Sequence, residues 1–290
     1  MNRLGRLWRG EAGGREVLEL GLPLILSMMS VTMQHFVNRI FLTWWSAEAV
    51  AGVTTGGFAI YILIGLFNGT AEYATPFVSQ YVGAKREDRI GAVVYQAVYF
   101  AVLAGILGLA LTSLVGPVFN AVGHAPNIRV HEITYSKIML ASTFPSVLMV
   151  ALSTYFAGRG RTRVVMGVTL ASTALNVLLD WVLIFGRLGA PSLGTAGAGY
   201  ATMCAQSFGA LLYFVLILRS PDHERHGFAD ARFRPALFGR LLRLGVPSGL
   251  QPSLEILAFT LFMFVIGNIG VAPLAATSIA FNLNALVFLP

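Results

Sequence analysis

The chain has 290 residues, a formal net charge of +7 and a mean hydropathy of +0.72. With 56% hydrophobic and only 11% charged residues, it cannot cover the surface of a water-soluble domain, and composition alone makes it a membrane protein. The positive charge does not make it a nucleic-acid binder, because the basic residues are dealt out loop by loop rather than gathered on one segment.

Crossing a hydrocarbon core in a helix takes about 20 apolar residues. Eight runs qualify in chain order, over residues 17–44, 48–82, 91–122, 132–158, 163–187, 195–218, 241–268 and 271–290. They are continuously apolar rather than alternating, which predicts helices and not barrel strands. The first run lacks a small-residue cleavage site and is expected to stay as a span. Cys204, in the sixth run, is the one cysteine, so no intramolecular disulfide is expected.

The connections order the spans. Arg3, Arg6, Arg9 and Arg15 precede the first; Lys85, Arg86 and Arg89 follow the second; Arg159, Arg161 and Arg163 follow the fourth. Arg219, Arg225, Arg232, Arg234, Arg240 and Arg243 follow the sixth, and only Arg39, Arg129, Lys137 and Arg187 lie toward the other side. Excess basic charge stays in the cytoplasm, so the amino terminus and the even-numbered connections are expected there.

An internal repeat is also visible. Leu18-Glu19-Leu20-Gly21-Leu22-Pro23 returns as Leu242-Arg243-Leu244-Gly245-Val246-Pro247, and at the same spacing Val50-Ala51-Gly52-Val53-Thr54 falls opposite Leu274-Ala275-Ala276-Thr277-Ser278. Six spans separate the copies, so both start on the same side, as in a parallel repeat. The expected organisation is a six-helix lobe over 1–218, a cytoplasmic linker over 219–240, and the start of a second lobe over 241–290. The second copy stops in its second helix at Pro290, so four further helices are expected from a longer protein or another polypeptide.

Ionisable groups inside spans are costly and therefore informative. At ~1.5 Å per residue, Glu72 and Glu255 fall near mid-membrane and Asp180 further out, with Asn38 at a comparable depth in the first span. Thr173, Asn176 and Asp180, spaced by three and four, share one helix face. A carboxylate flanked by an amide and a hydroxyl offers hard oxygen ligands to Na⁺, while a buried carboxyl could instead carry a proton. The same face could also serve only to hydrogen-bond its neighbours. Glu255 follows Pro247 and Pro252, which free backbone carbonyls and predict a bent helix. Glu72 and Arg39 are candidates for a neutralising ion pair. Gln34 and Asn38 share a face with His35 beside them, and a lone histidine there is more often a packing residue than a relay. Neither metal-protease, serine-hydrolase nor phosphate-loop patterns occur, so no enzyme and no organic cofactor are expected.

Four stretches together resemble the multidrug and toxic compound extrusion (MATE) family over essentially the whole chain. They are Leu20–Leu26 with Phe36–Phe41; Ser79–Ala84; Gly158–Thr162 with Asn176–Asp180; and Leu193–Gly199. The resemblance implies twelve helices in two lobes, in a bacterial inner membrane. It also implies alternating access, and export of cationic or amphipathic small molecules in exchange for Na⁺ or H⁺. It implies that Asn176, Asp180 and Thr202 belong to a cation or proton site. Many members carry an aspartate where this chain has Asn38, which shifts weight toward Glu255 on the seventh span. A lipid-linked sugar flippase of the same superfamily is the alternative; it would need a basic cavity, for which Arg39 is the one candidate.

Overall fold

The computed structural model describes residues 14–269 and residue 277. Apart from residue 277, the expected eighth span and its half of the repeat lie outside the described residues, as do Arg3, Arg6 and Arg9. Among the described residues every regular element is helical. The helices are α1 (Gly14–Trp45), α2 (Ala47–Glu72), α3 (Ala74–Gly83), α4 (Ile90–Val122), α5 (Pro126–Ala141), α6 (Thr143–Ala157), α7 (Thr162–Phe185), α8 (Thr195–Leu218) and α9 (Pro235–Ile269), with a 3₁₀ turn at Glu87–Arg89.

Four stretches, Val17–Trp45, Glu87–Val122, Thr162–Phe185 and Thr195–Leu218, are each long and apolar enough to cross a bilayer. Two bent pairs, Ala47–Gly57 with Ile60–Gly83 at 46° and Pro126–Ala141 with Thr143–Ala157 at 43°, bring the number to six. The protein is an integral membrane protein.

The second and fourth spans, expected as single runs, are therefore broken, and the chemistry of proline explains part of it. Tyr73 and Ser142 each sit three residues before a proline, Pro76 and Pro145. Each ring lacks an N–H and collides with the carbonyl four residues back, so the helix is interrupted there. The 46° bend in α2 falls between Gly57 and Ile60, directly after the Gly56-Gly57 pair, which has no side chains to stiffen the turn. Elsewhere the ends follow local rules. Gly123 and Gly186 close α4 and α7 in the left-handed region, at φ of 81° and 69°. Pro126 opens α5, and Ser46 caps α2, its Oγ accepting from the Ala49 amide at 3.3 Å. The fourth span thus begins at 126 rather than 132, and the seventh-span helix at Pro235 rather than 241.

Within the bundle α1 packs chiefly on α7, α7 on α8, α4 on α6, and α2 on α5 and α9. The main core joins α2, α3, α4 and α6 around Phe67, Phe100, Val147 and Tyr155; a smaller one, with Leu42, Ile184 and Ala198, ties α1 to α7 and α8. The α2–α9 crossing is tight. A β-carbon on Gly249 would lie 2.4 Å from the Leu66 carbonyl oxygen, and one on Gly69 would lie 2.6 Å from the Gly249 Cα.

Candidate functional site

The polar face expected on α7 exists, and its residues are buried among helices rather than turned outward. Asn176 and Asp180 are both wholly buried, and Thr202 and Asn38 are each 7% exposed. Two contacts fix how α1 lies on α7. Glu19 and Arg163 line one groove at one end, and further along both helices Thr173 Oγ1 donates to Gln34 Oε1 at 3.2 Å. The helices therefore run the same way. Four residues beyond Gln34 and Thr173, Asn38 comes level with Val177, between Asn176 and Asp180.

Asn176 connects α7 to α8 and can present either end of its amide. In one orientation its Nδ2 donates to Thr202 Oγ1 at 3.3 Å. In the other, Nδ2 donates to Asp180 Oδ2 at 3.0 Å while the amide oxygen accepts from the Thr202 backbone N–H at 3.1 Å. The second matches donor to acceptor at both ends of the amide, whereas the first turns the amide oxygen toward the Asp180 carboxyl. Thr202 Oγ1 is anchored to the Ala198 carbonyl at 3.0 Å.

Two oxygens of this cluster, Asp180 Oδ1 and Asn38 Oδ1, are buried without a hydrogen-bond partner among the described residues. Buried acceptors are nearly always satisfied, so an orphaned pair calls for a proton, a water or a cation. An ionised carboxylate this enclosed would be costly without a positive partner. No ion pair to Asp180 occurs among the described residues, and Tyr135 of α5 packs against the apolar cluster of Leu42, Ile184 and Ala198.

The other expected residues stand apart. Arg39 is exposed near the end of α1, whereas Glu72, also exposed, closes α2 after a 26-residue descent in the opposite direction. The two are therefore at opposite ends of antiparallel neighbours, and the expected Glu72–Arg39 pair does not form. Glu255 lies exposed on α9, beyond Pro247 and Pro252, with Gln251 Nε2 donating to its Oε1 at 2.9 Å. Because α9 packs on α2 and α4, Glu255 is not brought to Asp180.

Two features escaped the sequence reading. Tyr135 lies in an ordinary-looking helix, and no spacing rule singles it out. Glu132 is a wholly buried carboxyl near the start of α5, which accepts from Thr55 Oγ1 and meets His124 Nδ1 at 2.7 Å. Its enclosure comes from Gly52 and Gly56 letting α2 close onto α5.

The fold and this cluster define an all-helical membrane protein with an under-satisfied acidic site between packed spans. Solved MATE structures have the same fold. The chain superposes over its full length on 65% of a MATE protein crystallised with MaD5, with TM-score 0.79 and 22% identity. It also superposes, with TM-score 0.78, on 64% of a MOP superfamily transporter from Pyrococcus furiosus. Among curated relatives, the probable multidrug resistance protein NorM of Neisseria meningitidis is 27% identical over 281 residues, covering 95% of this chain and 61% of that protein. That of Bacillus cereus is 29% identical with the same coverage. The chain thus spans about three-fifths of the length of these relatives. The MatE family model matches residues 23–182, and the chain belongs to the MatE family.

Proposed function

We propose that this chain is the larger part of a multidrug exporter that works by alternating access and antiport, taking up H⁺ or Na⁺ as it expels cationic or amphipathic compounds. The carrying observation is the orphaned oxygen of the buried Asp180 beside Asn176 and Thr202, with a second on Asn38 at the same level of the adjoining helix. A proton on Asp180, or a Na⁺ among these oxygens, satisfies them, and either ion neutralises a charge that the surrounding helices do not.

In this reading residues 1–218 form one six-helix lobe, 219–240 a cytoplasmic linker, and 241–290 the first two of six helices in a second lobe, eight spans in all. The amino terminus faces the cytoplasm of a bacterial inner membrane, and lobe motion carries the site between faces. Glu255 is a second coupling group, to be enclosed by helices of the second lobe. One charge crossing 100 mV is worth about 2.3 kcal/mol, enough to drive cargo uphill. Names of relatives point to multidrug resistance; Arg39 alone gives no basic cavity for a lipid-linked pyrophosphate, so the flippase reading is not favoured.

The test is transport by the full-length protein in proteoliposomes carrying Asp180→Asn together with Glu255→Gln. Ion-driven accumulation of an organic cation is expected to vanish while folding is kept; undiminished coupled transport would end the assignment.

A further inference from the structure

Between α8 and α9 the chain does not hang free as a polar tether. The Gly91 amide at the start of α4 donates to the His226 carbonyl at 2.8 Å. Tyr95 donates to the Phe228 carbonyl at 2.9 Å, Tyr99 reaches the Ala231 carbonyl, and Gln96 both donates to the Arg232 carbonyl at 3.3 Å and accepts from the Arg234 amide at 3.1 Å. One face of α4 therefore reads this segment turn by turn. The backbone leaves no slack: Gly227 has φ of 71°, and a β-carbon there would fall 2.2 Å from the Asp88 carbonyl oxygen.

At the centre of the segment His226 is wholly buried. Its Nδ1 is 2.9 Å from the Tyr155 hydroxyl and its Nε2 3.3 Å from Glu87 Oε2. Tyr155 accepts from Arg159 Nη1 at 2.7 Å, and Arg159 Nη2 also donates to Asp222 Oδ2 at 2.7 Å. All of this is satisfied with a neutral imidazole: Arg159 donates to the phenol, the phenol donates to Nδ1, and Nε2–H donates to Glu87.

We propose that residues 219–234 form a strap latched onto the six-helix bundle by His226, and that protonation of His226 from the cytoplasm releases it and frees the start of α9. The cytoplasmic side rests on the orientation proposed above; the latch does not. Adding a proton at Nδ1 turns a donor toward the phenol oxygen that already receives Arg159. The hydroxyl would then have to swing to Ser220 Oγ, 3.2 Å away, and an imidazolium would lie beside the guanidinium. The other charges facing His226 decide the balance. Glu87 would welcome the proton but is already paired with Arg225 at 3.1 Å. Asp222 is shared between Arg159 and Arg161. Asp88 is paired with Arg89 at 3.3 Å, its carbonyl oxygen lying against Gly227, and His223 is stacked on Phe228 with its Nδ1 buried and without a partner among the described residues. Burial first, and the Arg159 charge second, hold the His226 imidazole below its ordinary range against the pull of Glu87 and Asp222. A lower proton affinity when docked than when free means that docking is favoured above the free value near ~6.5 and weakens as pH falls below it.

The experiment is amide hydrogen exchange of the protein in lipid nanodiscs at two pH values, corrected for intrinsic rates. Between pH ~7.5 and ~5.5, residues 219–234 are expected to lose several-fold of their protection, with a ceiling of about tenfold set by a free imidazole near ~6.5. Residues 162–185 should keep theirs. His226→Gln, whose amide can accept from Tyr155 and donate to Glu87, should hold the strap at both pH values. In the wild type, exchange at the imidazole carbon of His226 should titrate together with the strap, so the result stands even if the variant does not fold. An unchanged strap across the range, an equal response in His226→Gln, or a strap midpoint that follows His223 instead overturns the latch. Glu224→Cys in a Cys204→Ser background gives the side: labelling by an impermeant thiol reagent only after permeabilisation supports cytoplasmic control, whereas labelling in intact cells overturns the orientation and leaves the latch standing.

Discussion

Two polar regions of this molecule are built on opposite principles. Around His226, hydroxyl, imidazole, guanidinium and carboxylate groups answer one another nearly completely. Around Asp180, the carboxyl has one orphaned oxygen, and Asn38, at the same level, has another. A satisfied network holds a conformation, and its cost is recovered locally. An unsatisfied one within a bilayer has room for a mobile partner, which is the reading proposed above for Asp180.

The contrast can be broken by substitution. The largest effect expected is from Asp180→Asn alone, which should abolish ion-driven transport in proteoliposomes while leaving the thermal midpoint unchanged or higher, because a neutral amide removes the need to bury a charge. A large fall in the midpoint would instead place Asp180 among the structural groups. Gly227→Ala should do the reverse, costing about 2–4 kcal/mol in strap docking, from a side chain forced into the left-handed region and against Asp88. Local exchange of residues 219–234 would report it. Tyr155→Phe comes next, at about 1–3 kcal/mol, since it strands the buried His226 Nδ1 and removes an acceptor from the partly exposed Arg159; denaturant titration measures it. The smallest is Asn38→Asp, which adds a carboxylate level with the α7 pair. It should make the thermal midpoint rise with added Na⁺ by a few degrees more than in the wild type, and an identical Na⁺ response would separate Asn38 from the site.

Legibility in the sequence followed the range of the forces involved. Spans were readable because hydrocarbon demands an apolar run of fixed length, and the Thr173, Asn176 and Asp180 face because three and four residues bring side chains together on one helix. The breaks at Tyr73 and Ser142 were in principle readable from Pro76 and Pro145, but hydropathy averages over them. Tyr135, the enclosure of Glu132 and the separation of Glu72 from Arg39 depend on which helices meet and at what height, which no local pattern encodes. The docking of the 219–240 linker onto the bundle was not readable, because its partners Gly91, Tyr95 and Gln96 lie more than a hundred residues earlier in the chain.

The glycines where α2 and α9 cross have a mechanical meaning. Gly69, Gly245 and Gly249 leave two backbones in near contact, with Leu66 and Thr70 carbonyls as the opposing surface. Such a seam has no interlocking knobs, so one helix can roll across the other with little to climb over. A single methyl at position 249 would act as a wedge there, prising apart the backbone seam between the element following the strap and the earlier bundle.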